Sequence, residues 1–226
     1  MKQGIIIIPA YNEGLNLLKV VEDITENAPF MDYIIINDGS TDDTRAVCEI
    51  NGLNALHLPV NLGIGGAVQT GYRYAFEMGY EYAVQVDGDG QHKTQYLKRM
   101  LEELKTSQAD MIIGSRFLEK NGFQSTKLRR MGIRYFEGLI RLITGQRVTD
   151  STSGMRMINR KVIGWFADYY PKDYPEPETV AMILKRKGVI REIPVEMLER
   201  QGGKSSIGFF RSVYYMIKVS LAVILV

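Results

Sequence analysis

The sequence predicts an α/β fold, a mostly parallel sheet flanked by helices and ending in a C-terminal membrane-associating helical segment. Three observations predict it. Buried-type runs such as Gly4–Ile8 and Tyr82–Val86 alternate with segments of helical apolar spacing. The run ends carry clustered Gly, Asp, Asn and Ser, as turns beyond a sheet do. The chemistry-bearing residues fall at those ends, where ligands of parallel sheets bind.

In order, Gly4–Ile8 is a β-branched buried strand. Leu15–Asn27 is a helix through Leu17, Leu18, Val21 and Ile24. Tyr33–Ile36 is a second strand, and the polar turn after it supplies N-caps for a helix over Asp43–Asn51. Ala55–Leu58 is a short strand, Gly65–Met78 a helix, Tyr82–Val86 a strand, Thr94–Lys105 a helix and Met111–Gly114 a strand. The second half reads as a basic helix (Thr126–Gly145), a strand (Gly154–Ile158), helices near Lys161–Tyr169 and Glu178–Lys187, and a strand at Val189–Val195. We expect one domain over 1–206, with a nucleotide-sugar half (1–115) and an acceptor half (116–206), and an apolar tail over 207–226.

A length of 226 residues suffices for one large core, and 45% hydrophobic with 24% charged residues is ordinary for a globular chain. The net charge of +2 argues against nucleic-acid binding. One cysteine and two histidines exclude an internal disulfide and Cys- or His-rich metal sites, in keeping with a reducing compartment. Ile5–Ile8 is too short for the core of a signal peptide, so no secretion signal is expected.

The most informative motif is Asp87-Gly88-Asp89-Gly90-Gln91-His92 at the end of a strand. Two carboxylates one residue apart, with the Gln91 amide beside them, are hard oxygen ligands. Mg²⁺ or Mn²⁺ accepts such ligands and fills its other positions with water and substrate phosphates. Glycines at 88 and 90 allow the turn. Two other nucleotide signatures are absent. Pro9-Ala10-Tyr11-Asn12-Glu13 stands where a dinucleotide fold has its glycine-rich turn, and Gly203-Lys204-Ser205 has Leu198 where a P-loop has its first glycine.

Six motifs occur in one order. They are Ile8-Pro9-Ala10-Tyr11-Asn12-Glu13, Asn37-Asp38-Gly39-Ser40-Thr41-Asp42, Asp87 to His92, Gly114-Ser115-Arg116, Asp150-Ser151-Thr152-Ser153-Gly154-Met155-Arg156, and Arg200 to Ser206. The set resembles family 2 glycosyltransferases of the GT-A (Rossmann-like) fold, in particular the dolichol-phosphate mannose synthase branch and its bacterial polyprenyl-phosphate relatives. The resemblance implies that Pro9, Tyr11 and Glu13 line a nucleoside pocket and that Asp38 meets the base or ribose. It implies that Asp87 and Asp89, around Gly88 and with Gln91, hold the metal on a sugar-nucleotide diphosphate. Arg116, Ser153, Arg156 and Arg200, with Lys204, are implied to face the acceptor phosphate and the leaving group. Asp89, Arg116, Asp150, Ser153, Arg156 and Arg200 form the implied catalytic set.

Such an enzyme moves a hexose or N-acetylhexosamine with inversion. The donor expected first is a UDP-sugar and second GDP-mannose. The acceptor is a polyprenyl phosphate, already anionic and needing no general base. The Glu-Asp pair that serves as base in saccharide-building relatives is missing. Glu176, Glu178 and Asp150 are the carboxylates that would serve a sugar-hydroxyl acceptor, the alternative reading, and the two glutamates also suit a helix N-terminus. A non-catalytic sugar-nucleotide-binding subunit is the alternative of a different class.

Membrane contact is expected as well. Lys127, Arg129, Arg130, Arg134, Arg141 and Arg147 alternate with Leu128, Met131, Ile133, Tyr135, Phe136, Leu139 and Ile140, as in a helix lying on a bilayer. The tail Ile207–Val226 carries Arg211 and Lys218, so it reads as an interfacial helix or shallow anchor, with packing on the core or on a small membrane-protein partner as the alternative. The expected location is the cytoplasmic face of the cell membrane.

Overall fold

Two uninterrupted isoleucine runs explain the centre of the molecule. In the computed structural model, which describes residues 2–119, 127–197 and 209–226 (side chains of 127–129 and 209–213 excepted), β1 (Gly4–Ala10) is buried along its whole length. Its side chains alternate between two cores. Ile5 and Ile7 join Ile34 and Ile36 on one face, and Ile6 and Ile8 join Ile35 on the other. A strand buried on both faces reads as a continuous apolar run for this reason, and each fully buried isoleucine contributes about 1.5–3 kcal/mol.

Around it stand α1 (Leu17–Asn27), β2 (Asp32–Asn37), α2 (Thr44–Ile50), β3 (Ala55–His57), α3 (Gly63–Glu77) and β4 (Tyr82–Gln85). After a 3₁₀ turn at Thr94–Tyr96 come α4 (Leu97–Thr106), β5 (Met111–Ser115), α5 (Lys127–Thr144), β6 (Arg156–Asn159), α6 (Arg160–Asp168), α7 (Pro175–Lys185), β7 (Ile190–Pro194) and α8 (Phe209–Leu225). The sheet order is β3-β2-β1-β4-β6-β5-β7. All pairings are parallel except those of β6, which runs antiparallel to both β4 and β5. One sheet therefore runs through both halves of the chain. The chain order reverses direction at β1, between β2 and β4, and places a crevice beyond the carboxyl ends of these strands.

The predicted elements are present, with boundaries moved by one to three residues at most of their ends. α7 begins at Pro175, not Glu178: Tyr174 takes a left-handed conformation (φ 53°) and Pro175 occupies the first helical position, where the missing N–H costs nothing. The polar turn caps α2 through Asp42, whose Oδ1 accepts the Thr44 amide at 2.9 Å, while the Asp43 side chain makes no cap bond.

The tail packs on the core, the alternative expected for it: α8 lies against α5 and α7. Val219 and Val223 are buried in the core, the Tyr135 and Ser220 hydroxyls share a hydrogen bond, and Lys185 Nζ donates to the carbonyls of Ile224 and Val226. Val219 and Val223 are four apart, so one apolar face can bury while the rest of the helix does not. Among the described residues no helix is long and apolar enough to cross a membrane.

Candidate active site

The loops after β1 and β2 lock together before they meet any ligand. Asn12 sits at φ 58°, a region asparagine tolerates well, and its Oδ1 accepts the amides of Thr41 (2.8 Å) and Asp42 (3.3 Å). In return the Asn12 amide donates to Ser40 Oγ, and the Glu13 amide to Thr44 Oγ1. Asp38 is almost fully buried. Its two oxygens accept the amides of Leu62 (2.7 Å) and Gly63 (2.9 Å), so it caps the start of α3. Asparagine and aspartate are needed here because short oxygen-bearing side chains satisfy loop amides.

These loops wall a cleft of about 460 Å³ whose lining includes Pro9, Tyr11, Glu13, Asp38, Asp87, Gly88 and Asp89. The structure thus brings all seven residues expected around a sugar nucleotide into one space. Asn61, Gly63, Ile64, Ala67, Gln85 and Glu176 complete most of the remaining wall. Gly90 takes φ 74°, as the turn requires, whereas Gly88 does not have positive φ and instead sits close against the Pro9 carbonyl.

Asp87 is held from several sides. Gln85 Nε2 donates to its Oδ1 at 2.8 Å. Its own amide donates to His92 Nδ1 at 3.0 Å, which places the imidazole proton on Nε2, 3.6 Å from Asp87 Oδ2. Asp89 Oδ1 accepts the Gln91 amide at 3.1 Å, closing a small turn. Two carboxylates with an oriented outer layer fit a hard divalent cation that shares its sphere with phosphates. No three His, Cys, Asp or Glu side chains among the described residues form a protein-only cage.

Gly154 closes this layer. A Cβ there would lie 3.1 Å from Asp87 Oδ2 and 3.3 Å from His92 Cε1. Gly154→Ala therefore pushes the carboxylate out of place. We expect at least about a tenfold loss of transfer rate, as small displacements of oriented groups cost, with a Tm within about 3 °C of wild type; steady-state rates and a melting curve check it.

The acceptor-side expectations are only partly met. Ser153 is fully buried and its hydroxyl donates to the Gly114 carbonyl at 2.7 Å. Arg156 is also buried. Its Nε donates to Ser153 O (2.6 Å), Nη1 to Glu176 O (2.9 Å) and Thr179 Oγ1 (2.6 Å), and Nη2 to Ser151 O (2.8 Å). Both brace the 150–156 loop and the start of α7. Asp150 is likewise engaged within the protein. It is fully buried, and its oxygens take the Arg116 fork at 2.8 and 2.7 Å and the Arg116 amide at 3.0 Å. Bidentate pairing of this sort fixes the guanidinium in place. Arg200 and Lys204 lie outside the described residues.

Sequence reasoning missed Arg130 as a site residue, placing it only in a membrane helix. Its guanidinium stacks on the Phe117 ring at 3.5 Å, and Nη1 is buried with no hydrogen-bond partner among the described residues. Burial and then the charge of Arg134 hold this guanidinium below its usual range, with Arg116 adding to the effect and Asp150 and Glu137 opposing it. Gln85 and Gly154 were missed because neither type signals chemistry by itself. Glu176 was foreseen only as a helix-start carboxylate or base; it faces the cleft, and burial raises its carboxyl above the usual range against the pull of Arg156.

The fold and the cleft together set a carboxylate pair and the loops after β1 and β2 around one space at the strand ends. Residues 5–164 match the family profile described as Glycosyl transferase family 2, and the chain belongs to that family: it is a glycosyltransferase. It is 31% identical over 209 residues to the undecaprenyl-phosphate mannosyltransferase of Micrococcus luteus, covering 88% of this chain and 85% of that one. It is 26% identical over 213 residues to the UDP-N-acetylglucosamine–dolichyl-phosphate N-acetylglucosaminyltransferase of Methanococcus voltae (85% and 84%). The fold is shared with glucosyl-3-phosphoglycerate synthase of Mycobacterium tuberculosis, solved with Mn²⁺, UDP-glucose and phosphoglyceric acid. That match has a TM-score of 0.76 at 16% identity and covers 99% of this chain and 79% of that one.

Proposed function

We propose that this glycosyltransferase moves a hexose or N-acetylhexosamine from a nucleotide-diphosphate sugar to a polyprenyl phosphate, with inversion, at the cytoplasmic face of the cell membrane. The observation that carries the choice of acceptor is Arg130. A buried guanidinium nitrogen without a partner among the described residues, beside Arg134 and the Asp150-fixed Arg116, suits an anion, and arginine forks match phosphate. The names of the relatives support a lipid-phosphate acceptor. The Methanococcus relative and the solved neighbour favour a UDP-sugar as donor, ahead of GDP-mannose.

In this reading Pro9, Tyr11, Glu13 and Asp38 receive the nucleoside. Asp87 and Asp89, with Gln91, would hold a Mg²⁺ or Mn²⁺ ion, which when bound offsets charge on the departing diphosphate. A lipid phosphate oxygen attacks the anomeric carbon as the bond to the nucleotide oxygen breaks. No proton changes hands, and Arg116 and Arg130 orient the attacking phosphate.

A lipid acceptor must be reached at a surface. α5 exposes Met131, Tyr135 and Leu142 on one stripe, and α8 exposes Tyr214, Ile217, Leu221 and Ile224 on another. Tyr135 and Ser220 join the two helices, and the cations Arg134, Arg141 and Lys218 lie along them. Apolar stripes beside cations suit the boundary of an anionic bilayer.

The test is a donor panel incubated with a short-chain polyprenyl phosphate and Mn²⁺. Lipid-linked sugar is the expected product, and Arg130→Met raises KM for the lipid phosphate about tenfold or more with donor KM unchanged. Product formed only on a sugar hydroxyl would sink the reading.

A further inference from the structure

Glu176 is the cleft carboxylate for which neither the fold nor the reaction yet has a use. Three features fix it. Its backbone carbonyl is gripped by Arg156 Nη1 at 2.9 Å, prolines 175 and 177 flank it, and Thr179 Oγ1 bonds back to the carbonyls of Pro175 (2.7 Å) and Glu176 (3.0 Å). Its side chain reaches the cleft that also holds Asp87 and Asp89. The charges of Arg156 and Arg116 draw on that carboxylate, and among the described residues it forms no ion pair or side-chain hydrogen bond. A rigidly mounted, partly buried acceptor with spare lone pairs is built to receive donors.

Charge decides which donors. Burial and then the charge of Asp87 oppose ionisation of Glu176, while Arg156 and Arg116 favour it. A phosphate brought to Glu176 would add a further negative charge, so Glu176 is no diphosphate ligand. The nucleoside end of the cleft, at Tyr11 and Asp38, belongs to the loops after β1 and β2, whereas Glu176 enters from the first turn of α7. The neutral, hydroxyl-rich part of the donor is what remains for it.

We infer that Glu176 is the sugar-reading residue of the donor site, accepting hydrogen bonds from hydroxyls of the transferred hexose and thereby setting which epimer is used. This rests on the nucleotide-sugar reading above and extends it to the sugar itself. Buried acceptors discriminate strongly, because a sugar whose hydroxyl points elsewhere leaves them unpaired.

Calorimetric titration with Mn²⁺ tests it without any acceptor. The probes are UDP, GDP, UDP-glucose, UDP-galactose, UDP-N-acetylglucosamine and GDP-mannose, with wild type, Glu176→Gln and Glu176→Ala. In wild type we expect one sugar nucleotide to exceed its epimer by about tenfold or more. In Glu176→Ala that ratio falls to within about threefold, while UDP and GDP affinities change by less than about twofold. Glu176→Gln, which keeps size and half the acceptor capacity, falls between. An intact epimer ratio in both variants overturns the inference. So does a variant that binds every donor as wild type does yet loses kcat, since Glu176 would then serve the acceptor as a proton-accepting base. Wild type that binds no nucleotide overturns the donor reading, and this inference with it.

Discussion

Asp87→Asn with Asp89→Asn lowers the rate of sugar transfer at least about 10³-fold while the protein keeps its fold. The double variant removes two negative charges and leaves side-chain volumes alone. Removing a single preorganised charge-stabilising contact typically costs about 10²–10³ in rate, and these two carboxylates are the pair placed to hold the cation that supplies that stabilisation. Each single variant keeps its local support. In Asp87→Asn the amide oxygen can keep the Gln85 contact and the backbone bond to His92 is untouched, while the new NH2 turns toward His92 Nε2–H, so charge is lost with little change in shape. Asp89 closes a turn through the Gln91 amide, which an asparagine oxygen still accepts. Initial rates of lipid-linked product across a Mn²⁺ titration, with circular dichroism as the fold control, check the result. Transfer at the wild-type rate would remove the basis of the proposed chemistry.

Arg156→Met is expected to cost stability where the motif resemblance implies a catalytic cost. Four donor contacts are lost; the carbonyls of Ser151 and Ser153 are left buried without this partner, and that of Glu176 keeps only its Thr179 contact among the side-chain bonds. Orphaned buried groups of this kind cost about 1–3 kcal/mol apiece, with partial relaxation, so a total of about 3–5 kcal/mol is expected. That is a Tm lowered by about 10 °C for a chain of this size. Arg156→Lys rescues little, since one ammonium cannot reproduce a planar fork that spans four acceptors. Thermal melts decide it: a variant as stable as wild type with raised KM for the lipid phosphate would return Arg156 to the acceptor site.

The contrast between these two predictions shows what the sequence made legible. Strand alternation and the ends of β1, β2 and β4 were readable because side-chain periodicity and turn chemistry are local. The donor cleft follows from them, since a parallel sheet places its strand ends together. Arg116 and Arg156 look alike in a motif, yet only distance separates a guanidinium open to a ligand from one that donates four hydrogen bonds to protein oxygens. Burial of Arg156 depends on β6 pairing Arg156 against Gln85 between β4 and β5, a non-local fact. The tail stayed open between two readings for a related reason. Val219 and Val223 suit a bilayer and a protein core equally, and only the presence of α5 and α7 beside them decides.

The capping of α3 by Asp38 has a last consequence. Many nucleotide-binding folds turn the partial positive pole of a helix toward pyrophosphate. Here the first amides of that helix, at Leu62 and Gly63, already belong to a carboxylate of the protein itself. Those two amides are spent within the protein, so under the proposed reading the donor's anionic bridge would look for countercharge to the ion that Asp87 and Asp89 would hold. Chelation is then expected to weaken nucleotide binding as well as to slow transfer, which a nucleotide titration with and without EDTA checks.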